Sequence, residues 1–209
     1  MIPRRDFITA LKFASHAMGK MDVRYYLNST LFRFGSDFLE LVATDGHRIA
    51  RVTLELPTDD RTPFGDFIVK AASVNELLKT CKVKKNDPDT DQIGFGLDDG
   101  ELSVFWGASF MRLECEGGKY PEVHRAYDTK PPEDGVHGLH TLNVSATYLA
   151  DAAKAIALLT ISGDAPAELN FYYHNRCMKL RAYVDKRFSS IRNDAMVAIM
   201  PMKMAPRAS

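Results

Sequence analysis

The chain has 209 residues, with 27 Lys+Arg against 27 Asp+Glu, 45% hydrophobic and 26% charged, room for one large globular domain or two small ones. Zero formal net charge argues against coating nucleic acid through global basicity while leaving scope for a local basic face. No apolar run approaches the ~20 residues that span a bilayer, and three widely spaced cysteines, Cys81, Cys115 and Cys177, predict free thiols in a reducing cytoplasm.

In chain order, Met1-Ile2-Pro3-Arg4-Arg5-Asp6 lacks the apolar core of a secretory signal. Phe7, Leu11, Ala14 and Met18 then share one face of a helical period. Phe32 and Phe34, a Gly35-Ser36-Asp37 turn, and Leu39, Leu41 and Ala43 alternate as a hairpin does. Thr44-Asp45-Gly46-His47 reads as an Asp-Gly turn whose glycine takes positive φ, followed by a strand from His47 to Leu56. The stretch from Pro57 to Pro63 is punctuation. A strand at Phe67 to Val69 precedes Ser73-Val74-Asn75-Glu76, which reads as a capping box, with Val74, Leu77, Leu78 and Cys81 as the apolar stripe behind it. Lys84 to Asp89 reads as a solvated loop.

A second alternating pair, Ile93, Phe95, Leu97 and Leu102, Val104, Trp106, flanks Asp98-Asp99-Gly100, with a further strand expected from Ala108 to Glu116. Asp128 to Gly135 is the best linker candidate. Leu139 to Val144 is a strand candidate, and Ser145 is placed to cap a helix carrying Leu149, Ala152, Ala153 and Ile156 inward. A third hairpin pattern follows, Leu169, Phe171, Tyr173 and Met178, Leu180, Ala182 around His174-Asn175-Arg176, then a strand from Ala195 to Met200. Phe34 to Leu39, Leu97 to Leu102 and Tyr173 to Met178 are each five apart, so the three patterns share a register. The unit read from them is β-α-β-β-β, three times, with an abbreviated opening strand in the first copy.

Catalytic chemistry finds little support. The six histidines, at 16, 47, 124, 137, 140 and 174, are scattered. His137 and His140 lack a cysteine or carboxylate at ligand spacing, so a solvated loop outweighs a metal site. Gly94-Phe95-Gly96 lies inside a strand and reads as a bulge or close contact rather than a phosphate loop. No nucleophile sits with an activating base.

Asp22-Val23-Arg24-Tyr25-Tyr26-Leu27-Asn28 followed by Val42-Ala43-Thr44-Asp45-Gly46-His47-Arg48-Ile49-Ala50, then Gly118-Lys119-Tyr120-Pro121-Glu122, and finally Ile199-Met200-Pro201-Met202-Lys203-Met204, resemble in order and spacing the bacterial sliding clamp, the β subunit of DNA polymerase III. Lys203 stands where that family more usually has arginine. The resemblance implies an α+β DNA-clamp fold of three β-α-β-β-β half-domain repeats, helices facing a central pore and sheets outside. It divides the chain into a clamp domain over residues 1–127 (half-repeats of about 1–62 and 63–127), a linker over 128–137, and a single half-repeat over 138–209 similar to the C-terminal half of the family's last domain. A family subunit has three domains, so a first domain and half of the last are expected to be missing, and four such chains would supply the twelve half-repeats of a family ring.

The resemblance implies no enzyme and no cofactor. It implies a processivity factor that encircles duplex DNA and binds DNA polymerase and the clamp loader through a short-peptide pocket. Pocket positions carried over are Leu27, Thr44, Gly46, His47, Arg48, Ile49, Pro121, Arg125, Met200, Pro201 and Met202, with Arg48 and Arg125 expected at the rim. On the residues alone, Met200 and Met202 read as readily as core residues of an edge strand. For DNA in the pore the candidates are Arg4, Arg5, Lys12, Lys20, Lys79, Lys82 and Lys154, each equally readable as a solubilising charge. The alternative function is a clamp-like decoy or adaptor that keeps the pocket without closing a ring.

Overall fold

Alternation and helical period resolve into elements in a computed structural model that describes residues 1–57, 62–83, 91–124, 143–160, 167–172 and 177–201. A short strand, β1 (Ile2–Pro3), leads into helix α1 (Arg4–Ser15), a 3-10 turn over Tyr25–Asn28, and strands β2 (Ser29–Phe34), β3 (Phe38–Thr44) and β4 (Arg48–Glu55). The second group is β5 (Gly65–Lys70), α2 (Ala71–Thr80), β6 (Gln92–Asp98), β7 (Glu101–Trp106), β8 (Ser109–Arg112) and β9 (Cys115–Glu116). The third is α3 (Ala146–Leu158), β10 (Ala167–Tyr172), β11 (Cys177–Ala182) and β12 (Met196–Ile199). The linker over 128–137, the loop over 84–89 and most of the expected strand at 139–144 lie outside the described residues, and Asn143 and Val144 are not in a strand.

The hairpins form where alternation puts them. Phe34 stands opposite Leu39 and Leu97 opposite Leu102. Asp99 and Gly100, both at positive φ, make the two-residue turn that closes the second hairpin. In the third, Tyr172 pairs with Cys177 and Phe171 with Met178, so the five-apart pair is Tyr172–Cys177 rather than Tyr173–Met178.

Pairing beyond the hairpins is not sequential. Strand β5, which opens the second group, pairs with β2 of the first, and β1, which opens the first group, pairs with β6 of the second. Each group's opening strand therefore completes the other's sheet. The third group joins by its last strand: β12 lies antiparallel on β4, with Val197 opposite Ala50 and Ala198 opposite Ile49. The result is an eight-stranded sheet, β10-β11-β12-β4-β3-β2-β5-β9, and a four-stranded sheet, β1-β6-β7-β8. The expected strand from Ala108 to Glu116 is split accordingly, because after Leu113 the chain leaves β7 and crosses to β5.

Two local readings are corrected and a third is borne out. Helix α2 starts at Ala71 with no side-chain cap. Ser73 is buried, and its hydroxyl accepts the Glu114 N–H at 2.9 Å, so it satisfies the crossing strand rather than its own helix end. Ser145 does cap α3, accepting the Tyr148 N–H at 3.4 Å, but the inward face of α3 is Ala152, Ala155 and Ile156, with Leu149 and Ala153 exposed. Gly94 is a close-contact position: a Cβ there would meet the Phe105 ring at 2.2 Å.

Helix α1 lies between α2 and α3 and packs on β3 and β4. It buries Asp6, Phe7, Ile8, Ala10, Leu11, Phe13 and Ala14. Phe7 meets Phe95 edge-on at 5.1 Å, and Phe95 meets Phe34 at 5.4 Å, so one aromatic chain joins the helix to both sheets. A second apolar cluster (Leu31, Val42, Ile49, Ile68, Tyr120, Val123, Met196 and Ala198) covers the other face of the eight-stranded sheet, the strand alternation sending successive side chains to opposite sides. Among the described residues no helix is long and apolar enough to cross a membrane.

Because Phe95 is the shared member of that chain, Phe95→Ala is expected to cost about 3–5 kcal/mol, seen as a lower urea midpoint with unchanged slope. A cost under ~1 kcal/mol would mean the ring is not wedged between the sheets.

Candidate functional site

The turn between β3 and β4 is over-determined by its own side chains. Gly46 sits at φ 86°, a conformation that suits glycine. Thr44 Oγ1 accepts the Gly46 N–H at 3.0 Å and donates to the Arg48 carbonyl at 2.7 Å. Asp45 Oδ1 accepts the N–H groups of His47 and Arg48 at 2.9 and 3.0 Å, and Oδ2 accepts Arg48 Nε at 3.1 Å. The β4–β12 ladder runs one step past the strands here, the Met200 N–H donating to the His47 carbonyl at 2.8 Å.

Beside the turn, Asp22 and Asn28 close the preceding loop with reciprocal bonds: Asn28 Oδ1 accepts the Asp22 N–H at 2.9 Å, and Asn28 Nδ2 donates to the Asp22 carbonyl at 2.7 Å. Arg24 grips the Asp22 carboxylate through Nε and Nη2 at 3.0 and 2.9 Å, and those bonds hold the Asp22 pKa down at about 2. The Arg24 guanidinium lies over Gly46, where a Cβ would stand 3.2 Å from Nη2. Tyr25 donates to the Gly117 carbonyl at 3.2 Å. Tyr26 and Met200, both half-buried, flank the second apolar cluster.

These contacts decide where each expected pocket residue stands. Thr44, Gly46 and His47 stand in and beside the β3–β4 turn, Met200 bonds to His47, and Ile49 is buried opposite Ala198. Pro121 is half-buried next to the cluster members Tyr120 and Val123, and Pro201 is half-buried at the end of β12. Leu27 is buried in the 3-10 turn, its carbonyl accepting the Gly19 N–H at 2.7 Å. Arg125 and Met202 lie outside the described residues.

Arg48 departs from expectation. It is not at a rim: its side chain is buried, Nη1 donates to Asp151 Oδ2 at 3.0 Å, and its guanidinium lies 4.6 Å from the centre of the Tyr148 ring. The His47 ring stacks on Tyr148 as well. The turn is thus clamped onto α3 by Tyr148 and Asp151, two residues with no sequence signal beyond helical spacing. Arg48 holds the Asp151 carboxyl below the usual aspartate range, while partial burial and then the Asp45 charge push the Tyr148 hydroxyl up.

The basic candidates separate by environment. Arg4 pairs with Asp91 and is largely buried, and Arg5 Nη2 donates to the Arg187 carbonyl at 3.1 Å, so both serve contacts within the chain. Lys12, Lys20, Lys79, Lys82 and Lys154 are exposed. Lys12, Lys79 and Lys154 are each the ninth residue of their helix, so each of the three helices carries one exposed lysine past its midpoint. The cysteine thiols are pushed up by burial, Cys81 to about 12 and Cys115 to about 11, which makes them poor nucleophiles.

Residues 1–122 match the family described as DNA polymerase III beta subunit, central domain. The chain is 24% identical over 179 residues to the beta sliding clamp of Chlamydia pneumoniae, covering 81% of this chain and 43% of that protein. It is 31% identical over 144 residues to that of Vibrio cholerae, covering 69% and 36%. The solved DNA polymerase sliding clamp of Caulobacter crescentus shares the fold, with TM-score 0.70 and 18% identity over 97% of this chain and 65% of that one. The chain spans less than half the length of these curated relatives.

Arg48→Ala is expected to cost about 1–3 kcal/mol by stranding the Asp45 and Asp151 partners. Since the Asp151 pKa is lowered in the folded state, its contribution is present above the ordinary aspartate value of about 4 and fades as pH falls through the lowered one. Denaturation curves of Arg48→Ala taken from pH 6 downward are therefore expected to fall less steeply than those of the parent, and parallel curves would refute the pairing.

Proposed function

The chain belongs to the DNA polymerase III β-subunit family, and we propose that it works as a sliding clamp: identical chains close into a ring around duplex DNA and tether DNA polymerase, and the clamp loader, through the surface where the end of β12 meets the β3–β4 turn. Such a protein makes and breaks no bonds. It raises the local concentration of polymerase at the primer end.

The observation that carries the DNA half is the set of helix lysines. Lys12, Lys79 and Lys154 are exposed, one on each of the three helices, and exposed ammonium groups follow phosphates without reading bases. The surface beside the β3–β4 turn supports the peptide half. Ile49, Ala198, Met200 and Tyr26 offer an apolar floor with an adaptable methionine at its edge, while the His47 carbonyl is already used by the Met200 N–H. Three helix-plus-strand groups per chain make four chains the stoichiometry that reaches a twelve-unit ring.

A second reading, a decoy or adaptor without a ring, rests on the β4–β12 ladder being formed within one chain, so that peptide binding beside it needs no assembly. Retention on DNA separates the two. A ring loaded on nicked circular DNA is expected to stay through a high-salt wash and to slide off once the circle is linearised; equal loss from both forms favours the adaptor.

Two further outcomes are expected. A labelled peptide carrying a polymerase clamp-binding motif should bind at least about ten-fold more weakly to Met200→Lys, given ~1.5–3 kcal/mol for a buried apolar side chain; unchanged polarisation curves would exclude this surface. Replacing Lys12, Lys79 and Lys154 by glutamine should flatten the dependence of log affinity for linear duplex on log salt by about one unit per lysine.

A further inference from the structure

We propose that the open end of the third group is a self-association surface: the flank of α3 bearing Leu149, Ala150 and Ala153 packs against the same flank of α3 in a second copy, about a two-fold axis that also sets the outer edge of β10 against that copy.

The argument compares positions inside one chain. Aligning α1 with α3 on their shared ninth-residue lysines matches Phe7, Ile8 and Leu11 with Leu149, Ala150 and Ala153. The first three are 0%, 2% and 0% exposed, whereas Leu149 is 37% exposed and both alanines are exposed. The difference is a neighbour. Helix α1 has α2 on one side and α3 on the other. Helix α3 meets the first group through Tyr148 and Asp151, and at about 100° per residue positions 149, 150 and 153 fall on the flank away from them. An apolar helix flank left in water is unfavourable. The exposed positions of α2, by contrast, include Asn75, Glu76, Lys79 and Thr80, a flank suited to solvent.

The sheet repeats the pattern. The outer edge of β2 is covered by β5 and that of β6 by β1, each strand supplied by the sister group. Among the described residues β10 ends its sheet with β11 as its one neighbour. Among the described residues, nothing covers in the third group what a sister group covers in the first two, and an open edge is a template for pairing. The reciprocal exchange of β1 and β5 marks the first two groups as related by an approximate two-fold. A second copy of the third group is therefore the occupant of matching shape, and an isologous contact closes on itself. This contact is one that a ring of four would need; it rests on the self-association in that reading and on neither DNA nor peptide binding.

The test uses the full chain in a Cys115→Ser background, because Cys115 is half-buried while Cys81 and Cys177 are buried. Ala153→Cys in that background treated with a short bis-maleimide is expected to give a covalent dimer and no larger species. The Cys115→Ser parent should give none. Leu149→Glu combined with Ala153→Glu, both at exposed positions, sets like charges against each other across the two-fold and should halve the sedimenting mass with an unchanged circular dichroism spectrum. An Ala153→Cys protein that gives no covalent dimer while the parent sediments as an oligomer overturns the α3 contact and leaves the ring reading standing. A parent that is monomeric at micromolar concentration overturns both.

Discussion

One pairing organises this molecule: the last strand of the third group laid antiparallel on the last strand of the first. The β4–β12 ladder has only four register pairs, yet it sets α3 beside α1, extends one sheet to eight strands, and creates the seam whose end meets the β3–β4 turn. Its partners are small where the strands need room, Ala50 facing Val197 and Ala198 facing Ile49. The two middle pairs are apolar, while Arg51 and Arg48 stand opposite Met196 and Ile199 at the ends and are paired with Glu40 and with Asp45 and Asp151. Backbone groups at such a seam have no water to turn to, so the ladder is held by the cost of breaking it as much as by the bonds themselves.

The polar turn beside the seam shows how a recognition surface is kept rigid. Asp45 satisfies two backbone donors and one guanidinium nitrogen, and Arg48 carries that order across to Asp151 and Tyr148. The charges in this region are spent on each other. What is left for a ligand is the apolar floor and the half-buried Met200, and that division of labour fits a site that reads side-chain shape more than charge.

The hairpins were legible in the sequence because alternation has a short period and each turn carries its own chemistry, Asp99-Gly100 and Asp45-Gly46 above all. What escaped was non-local. The exchange of β1 and β5 leaves no trace in either strand's composition. Ser73 looks like a cap because spacing alone cannot reveal that the Glu114 N–H will arrive beside it. Leu149 and Ala153 look inward-facing because α3 is apolar around most of its circumference, and periodicity names a buried face only when another face is polar. Arg48 was assigned to a rim because its partners, more than a hundred residues away, belong to a helix with no motif.

The exchange of β1 and β5 also bears on how the chain loses its structure. Neither of the first two groups can peel away alone, since each would carry off a strand of the other's sheet, so they melt as a single block. The third group is held by the β4–β12 ladder, the Arg48–Asp151 pair and contacts from the segment before β12, where Ile191 bridges Leu54, Asp194 accepts from Thr53 and Asp6 accepts the Ser190 N–H, but it exchanges no strand with the other two. Its amide protons form the natural early-exchanging set, a subglobal opening that exposes the seam while the interlocked pair stays intact.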